Sequence, residues 1–96
     1  DFHGADGESA LIKATKASQV AVINRLVKAG ADVNLQDAQG RTALHHAASL
    51  RSTLLLETLL AAGANKGVAD DSGLTARDIA KKKLFFAGMK ILKEKL

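Results

Sequence analysis

The chain has 96 residues, of which 47% are hydrophobic and 25% charged, and its formal net charge at pH 7 is +4. A chain of this length is expected to form one small domain. It contains no Cys, which excludes disulfides and thiolate metal sites, and no Trp or Tyr, which leaves few aromatic surfaces for stacking nucleotide bases. We expect no membrane span, because no apolar stretch reaches roughly 18 residues.

The sequence repeats itself at a regular interval. A shift of 33 positions aligns Ser-Ala-Leu at 9–11 with Thr-Ala-Leu at 42–44, and Ala-Gly-Ala at 29–31 with Ala-Gly-Ala at 62–64. Such periods are typical of proteins built from stacked repeats. We therefore predict an array over residues 4–96, after an N-terminal extension of residues 1–3. Its three units are residues 4–36, 37–69 and 70–96.

The first unit has the apolar character of an internal repeat. Residues 20–23 read Val-Ala-Val-Ile, and Val22, Ile23, Leu26 and Val27 are expected to pack on the second unit. Because of this apolar character, we expect the other face of the unit, away from the second unit, to be covered by preceding repeats or by another chain. The absence of Met at position 1 also suggests that the chain is part of a longer protein or complex.

The second unit predicts two helices joined by a turn. Residues 37–40, ending in Gly40, form a turn signal, and Thr42 stands at the N-cap of a first helix over residues 43–50. Ser52 could cap a second helix over about residues 53–62. This helix carries an apolar stripe and ends at a left-handed glycine, Gly63. The stripe consists of Leu55, Leu56, Leu59 and Leu60.

The third unit repeats the turn at Gly73 and carries the positive charge. Residues 77–96 hold seven basic and two acidic side chains, whereas residues 1–76 hold seven and eight. A charged outer face is what a terminal repeat needs, so we interpret this unit as the C-terminal cap. The lysines could equally serve to steer an acidic partner.

These residues resemble the ankyrin repeat family. Residues 40–48, Gly-Arg-Thr-Ala-Leu-His-His-Ala-Ala, are similar to its Gly-x-Thr-Pro-Leu-His-x-Ala-Ala signature, and residues 30–34, beginning at Gly30, to its Gly-Ala-Asp-Val-Asn return. Ala replaces the usual Pro in all three units, and only His45 retains the signature His. The resemblance implies an all-α solenoid of stacked helix–turn–helix repeats with β-hairpin-like finger loops. It also implies that His45 ties one finger to its neighbour.

The resemblance further implies a non-catalytic scaffold that binds a partner protein or peptide on a concave face of fingers and first helices. We expect Arg41, Lys82 and Lys83 to contact carboxylates, Leu50 and Leu74 to make apolar contacts, and Gln39 and His46 to form hydrogen bonds. The structural positions are Thr42, His45, Gly30, Gly40, Gly63 and Gly73. The contact positions are Glu8, Lys16, Gln39, Arg41, His46, Ser49, Leu50, Asp71, Leu74, Lys82 and Lys83.

Catalysis is not expected. The adjacent pair His45 and His46 would point about 100° apart on a helix, which argues against a shared metal ion. Asp70 repeats Asp37 and is interpreted as a turn residue, so Asp70 and Asp71 are not taken as an acid–base pair. No loop suited to binding phosphate or a dinucleotide is found, and no cofactor or small-molecule substrate is predicted.

Two alternatives remain open. The repeats could act as a structural docking module that joins a larger protein or assembly through their edges. The lysines at 81–83, with Phe85 and Phe86 beyond them, could instead bind nucleic acid or an anionic surface, although the run lacks the Arg preferred for such contacts. The absence of Cys and of a signal region suggests a cytoplasmic or nuclear protein.

Overall fold

The computed structural model describes residues 10–83 and 86–92, and within them the chain is helical, without strands. The six helices follow one another in three pairs, as the repeat predicts. The helices are α1 (Ala10–Lys16), α2 (Val20–Lys28), α3 (Ala43–Ser49), α4 (Thr53–Ala61), α5 (Ala76–Lys82) and α6 (Phe86–Leu92). The predicted all-α class is confirmed, and the fingers described are tight turns rather than strand pairs.

The backbone repeats with the same period as the sequence. Three classes of position with positive φ recur in successive units, at the turn inside each helix pair, at the end of the second helix and at the finger tip. The pairs are Ser18 and Arg51 (57° and 57°), Gly30 and Gly63 (94° and 96°), and Gly40 and Gly73 (76° and 82°). The matching angles show that the same turns connect the helices in successive units.

Side chains at the N-termini of the helices satisfy backbone groups that a helix leaves unpaired. Ser52 Oγ accepts a hydrogen bond of 3.2 Å from the backbone N–H of Leu55 at the start of α4. At the start of α5, Thr75 and Asp78 form a reciprocal capping box. Gln19, which precedes α2 at the position equivalent to Ser52, makes no such side-chain bond. The predicted capping role of Ser52 is therefore confirmed.

The helices form two layers. The first helices α1, α3 and α5 pack side by side, and α2, α4 and α6 form the second layer behind them. Small side chains allow the first helices to approach closely: Ala14, Ala47 and Ala80, which occupy equivalent positions in the three units, are all buried. Leu55, Leu56 and Leu59 of α4 are buried in the core, whereas Leu54 is 59% exposed. Burial of these apolar groups is the main term that stabilises the stack.

Packing in the first unit differs from the prediction at one position. Ile23 is fully buried, but Val22 is 37% exposed and does not join the core. Leu55, which holds the equivalent position in α4, is only 1% exposed, because α4 packs between α2 and α6. Among the described helices, α2 has a neighbour in its own layer on one side only, which leaves Val22 uncovered. Leu26 and Val27 pack partly buried against the core, as expected.

Hydrogen bonds close the fingers of the second and third units, which are the two that the structure describes. The N–H of Asp37 donates to the carbonyl oxygen of Arg41 at 2.8 Å, and Asp70 repeats this bond with Leu74 at 2.8 Å. The N–H of Asp71 then donates to the carbonyl oxygen of Gln39 at 2.9 Å, which links the third finger to the second. The fingers therefore hold a fixed position beside the first helices.

Within residues 10–83 and 86–92, none of the helices has the length and apolar character required to cross a lipid bilayer.

Candidate binding surface

A concavity of about 340 Å³ lies along α3 and α5, where the second unit meets the third. Its walls come from two first helices and two fingers, so it spans the seam between the units. Five of its lining residues belong to the set of contact positions predicted from the sequence. The lining residues are Arg41, Ser49, Leu74, Ile79, Lys82 and Lys83.

The apolar part of this concavity is anchored in the core. Ile79 is only 6% exposed, and Leu74 packs partly buried against the core cluster. Leu74 was predicted as an exposed apolar anchor, and it presents only part of its side chain. Because core side chains hold fixed positions, this surface is formed before any partner arrives.

The charged part of the concavity is basic. Lys82 and Lys83 are exposed, and Arg41 is half-exposed. The Nε atom of Arg41 lies 3.4 Å from Oδ2 of Asp70, a long ion pair that orients the guanidinium from one side.

The other predicted contact residues lie outside the concavity. Gln39 and Asp71 occupy neighbouring finger tips and are exposed. Leu50, which follows α3, is 46% exposed but does not line the concavity. Lys16 is exposed at the end of α1. Glu8 and Phe85 fall outside the described residues.

His46 is engaged within its own unit. Its Nε2 atom donates to Oδ2 of Asp37 at 2.9 Å, while Oδ1 of Asp37 accepts from the N–H groups of Gln39 and Arg41. Burial of Asp37 opposes its ionisation, but these hydrogen bonds outweigh burial and hold the pKa of Asp37 below its ordinary value. The predicted contact of His46 with a partner would therefore have to compete with this bond.

Asp70 has the equivalent role in the third finger. Its Oδ1 accepts from the N–H groups of Ser72 and Leu74, both at 2.9 Å. The hydrogen bond from Leu74 is the main reason that the pKa of Asp70 lies below its ordinary value, and Arg41 adds to the effect. Both aspartates thus shape finger turns, which is the structural interpretation predicted for them.

His45 connects the second unit with the third. Its Nε2 atom lies 2.8 Å from the carbonyl oxygen of Leu74, so Nε2 carries the proton and Nδ1 accepts. The acceptor Nδ1 receives the N–H of Thr42 at 3.1 Å and lies 2.9 Å from the Thr42 hydroxyl. Burial lowers the pKa of His45, although the Leu74 carbonyl and the Asp70 carboxylate oppose this effect. The imidazole is therefore neutral at pH 7.

Gly40 allows the second and third fingers to approach each other. A Cβ atom at this position would lie 2.5 Å from Oδ1 and 2.9 Å from the backbone nitrogen of Asp71. Gly40 also has a φ of +76°, which side chains disfavour. At the equivalent Gly73, φ is similar but no atom lies within 4 Å of the hypothetical Cβ.

The sequence prediction omitted Ile79 from the contact set. The period of 33 places Ile79 on His46, a residue that was predicted to face the partner. Applying the same shift to Ile79 would have identified it. The residue was overlooked because an apolar residue in a short helix is usually assigned to the core, and Ile79 serves both the core and the surface.

This arrangement can hold a ligand but offers little for bond chemistry. The concavity combines three cations, one hydroxyl and an apolar surface. Among the residues that the structure describes, no group of three or more His, Asp or Glu side chains is placed to bind a metal ion.

Comparison with known families agrees with the repeat seen in the backbone. A family model for ankyrin repeats matches residues 1–80 and covers three copies. No curated protein shows a significant sequence match to the chain. Ankyrin repeats are generally protein–protein interaction modules and are typically non-catalytic. The extent of the match, together with the three helix pairs, shows that the chain belongs to the ankyrin repeat family.

Proposed function

We propose that the chain is a non-catalytic module that binds a partner protein or peptide on the surface formed by its fingers and first helices. One observation carries the proposal: the concavity along α3 and α5 brings together five predicted contact positions. These are Arg41, Ser49, Leu74, Lys82 and Lys83. Family membership supports the class of function, and the geometry supports this particular surface.

The rigidity of the surface favours recognition. The fingers are fixed by internal hydrogen bonds, and Leu74 and Ile79 are held by the core. A partner therefore meets a preformed surface and does not have to order loops as it binds, which lowers the free-energy cost of association.

Site-specific cross-linking tests this surface. The photoreactive residue p-benzoylphenylalanine would replace Ser49, which lines the concavity, and in a matched control Glu57, which is exposed on α4 in the other helix layer. Irradiation in an extract of the source cells should join a discrete protein to the Ser49 probe and not to the Glu57 probe. Equal labelling from both positions, or labelling only from Glu57, would contradict the proposed surface.

Docking through a repeat edge is a second candidate, favoured by the exposure of Val22. This valine is 37% exposed on α2, beside the exposed Ala21. Val22→Glu should abolish assembly if the edge docks, and should leave it unchanged if the fingers and first helices bind the partner. Size-exclusion chromatography of the native complex would measure the difference.

A further inference from the structure

We propose that the concavity along α3 and α5 binds an acidic linear segment of the partner, with carboxylates beside Arg41, Lys82 and Lys83 and an aliphatic side chain on Leu74 and Ile79. This inference rests on the proposed function and specifies the chemistry of the partner. Four features of the concavity support it: its net charge, its apolar floor, its difference from the preceding seam and its fit to a peptide.

The acidic side chains of the two units leave the cations of the concavity largely uncompensated. Asp37 and Asp78 accept hydrogen bonds from backbone N–H groups of their own units. Asp70 does the same and reaches Arg41 only through a contact of 3.4 Å. In the described part of the chain, no ion pair within 4.0 Å involves Lys82 or Lys83. The site therefore has an excess of positive charge that attracts carboxylates.

The apolar floor selects for an aliphatic side chain next to those carboxylates. Leu74 and Ile79 line the same concavity as the cations, so one ligand can contact both kinds of surface. Withdrawing an aliphatic side chain from water onto this floor adds a favourable term that charge alone does not supply. Attraction between the carboxylates and the cations then orients the ligand and raises its association rate.

The combination is specific to this seam. The equivalent positions one repeat earlier hold Arg41 and His46 in place of Leu74 and Ile79, and Ser49 and Leu50 in place of Lys82 and Lys83. Glu8 and Lys16 take the places of Arg41 and Ser49. The preceding seam therefore has a polar floor, lacks the lysine pair and carries a carboxylate at one of the equivalent places. A ligand with acidic and aliphatic groups would distinguish the two seams.

A peptide fits these features better than a nucleic acid does. Among the described residues that line the concavity, none is an aromatic on which a base could stack, and the floor of Leu74 and Ile79 offers nothing to a phosphate–sugar backbone. Lysine and arginine beside an aliphatic floor match a segment in which Asp or Glu alternates with Leu, Ile or Val. A nucleic acid remains an outcome of the test.

The experiment selects peptides from a phage-displayed random dodecapeptide library on the intact chain. Selected peptides should be enriched in Asp and Glu around an aliphatic residue. Their affinities would be measured by fluorescence anisotropy, alongside versions in which Gln replaces Glu or Ala replaces the aliphatic residue. Each replacement should weaken binding by about fivefold or more, since each removes one of the two contacts.

Two double variants with the same net charge provide the matched comparison. Lys82→Glu with Lys83→Glu reverses the charge of the concavity and should weaken the selected peptides by about tenfold or more. Lys81→Glu with Lys90→Glu makes the same change at exposed lysines that do not line it, and should weaken binding by less than about twofold. Circular dichroism would verify that both variants are folded.

The outcomes separate this inference from the broader function. Three outcomes would overturn the acidic segment and leave the broader function standing. They are selection of neutral or basic peptides, an equal loss of affinity in both double variants, and no selected peptide while the Ser49 probe still captures a protein. Failure of both selection and cross-linking would overturn the proposed function as well. Binding of a mixed-sequence oligonucleotide that is lost only with Lys82→Glu and Lys83→Glu would replace the peptide with a nucleic acid.

Discussion

The imidazole of His45 donates a hydrogen bond of 2.8 Å to the carbonyl oxygen of Leu74, and this bond fastens the second repeat to the third. His45 is buried, and its other ring nitrogen accepts from Thr42 within the same repeat. One side chain therefore caps its own helix and holds the neighbouring finger. Leu74 in turn lines the proposed binding surface, so the same bond also positions that surface.

Removal of the His45 ring should destabilise the domain strongly. His45→Ala leaves the Thr42 N–H and the Leu74 carbonyl without their partners, which should lower the free energy of unfolding by about 2–4 kcal/mol. His45→Asn is the informative comparison, because its amide oxygen can accept from Thr42 but its side chain is too short to reach Leu74. Urea denaturation should place His45→Asn between the wild type and His45→Ala. Equal stability of all three chains would contradict the assigned bonds.

The domain should lose stability when the pH falls below neutrality. Burial lowers the pKa of His45 from its ordinary value of 6.5, so below about pH 6.5 the unfolded chain binds more protons than the folded chain. Stability is fully present above this value and decreases as the pH falls toward the folded pKa. The urea midpoint should therefore be lower at about pH 5.5 than at about pH 7.5, and less so in His45→Asn. The same pH dependence in His45→Asn would assign the effect to another group.

A second loss of stability is expected in stronger acid. The pKa values of Asp37 and Asp70 lie below the ordinary value of 3.8, so their contribution to stability is present above it and disappears as the pH falls through the folded values. Acid unfolding followed by circular dichroism should then begin at higher pH in Asp37→Asn than in wild type if the charged bonds hold the finger. An unchanged profile would show that neutral hydrogen bonds suffice.

Gly40 and Gly73 should respond differently to the same substitution. Both have positive φ, so Ala at either position costs about 1–2 kcal/mol. Gly40→Ala adds a collision with Asp71 of the next finger, whereas Gly73→Ala meets open space. Gly40→Ala should therefore be the more destabilising of the two in urea denaturation. Equal losses would show that the fingers can separate without cost.

Substitutions at the helix caps should raise stability at one position and lower it at another. Ser52→Ala removes the side-chain bond to Leu55 and should cost about 1 kcal/mol. Gln19 occupies the equivalent place before α2 and makes no such bond, so Gln19→Ser should stabilise the domain by about 0.5–1 kcal/mol. Thermal denaturation should show opposite shifts for the two variants. A destabilising Gln19→Ser would mean that the turn before α2 differs from the turn before α4.

The fold could be predicted well from the sequence because successive repeats carry the same turn, cap and helix signals. The period of 33, the cap at Ser52 and the left-handed Gly63 each follow from local chemistry, and each holds in the structure. Val22 could not be resolved in this way. Its run of apolar residues matches the buried Leu55 and Leu56 one repeat later, and only the number of neighbouring helices distinguishes Val22 from Leu55.

The candidate site was predictable in position but not in detail. The alignment of repeats identified Arg41, Ser49 and Lys82 as members of one surface, because equivalent positions face the same way in a stack. The hydrogen bond between His46 and Asp37 could not be predicted, because the two residues lie in different elements and meet only after the finger has folded back over α3. Ile79 was missed because one side chain can be largely buried in the core and still contact a ligand.

The concavity takes two lining residues from the second repeat and four from the third, so a bound ligand would connect the two repeats. The bound ligand would raise the free energy needed to separate the third repeat from the second, and backbone amides of α5 would exchange with solvent more slowly in the complex. Binding of the partner and stabilisation of the third repeat would then be one event.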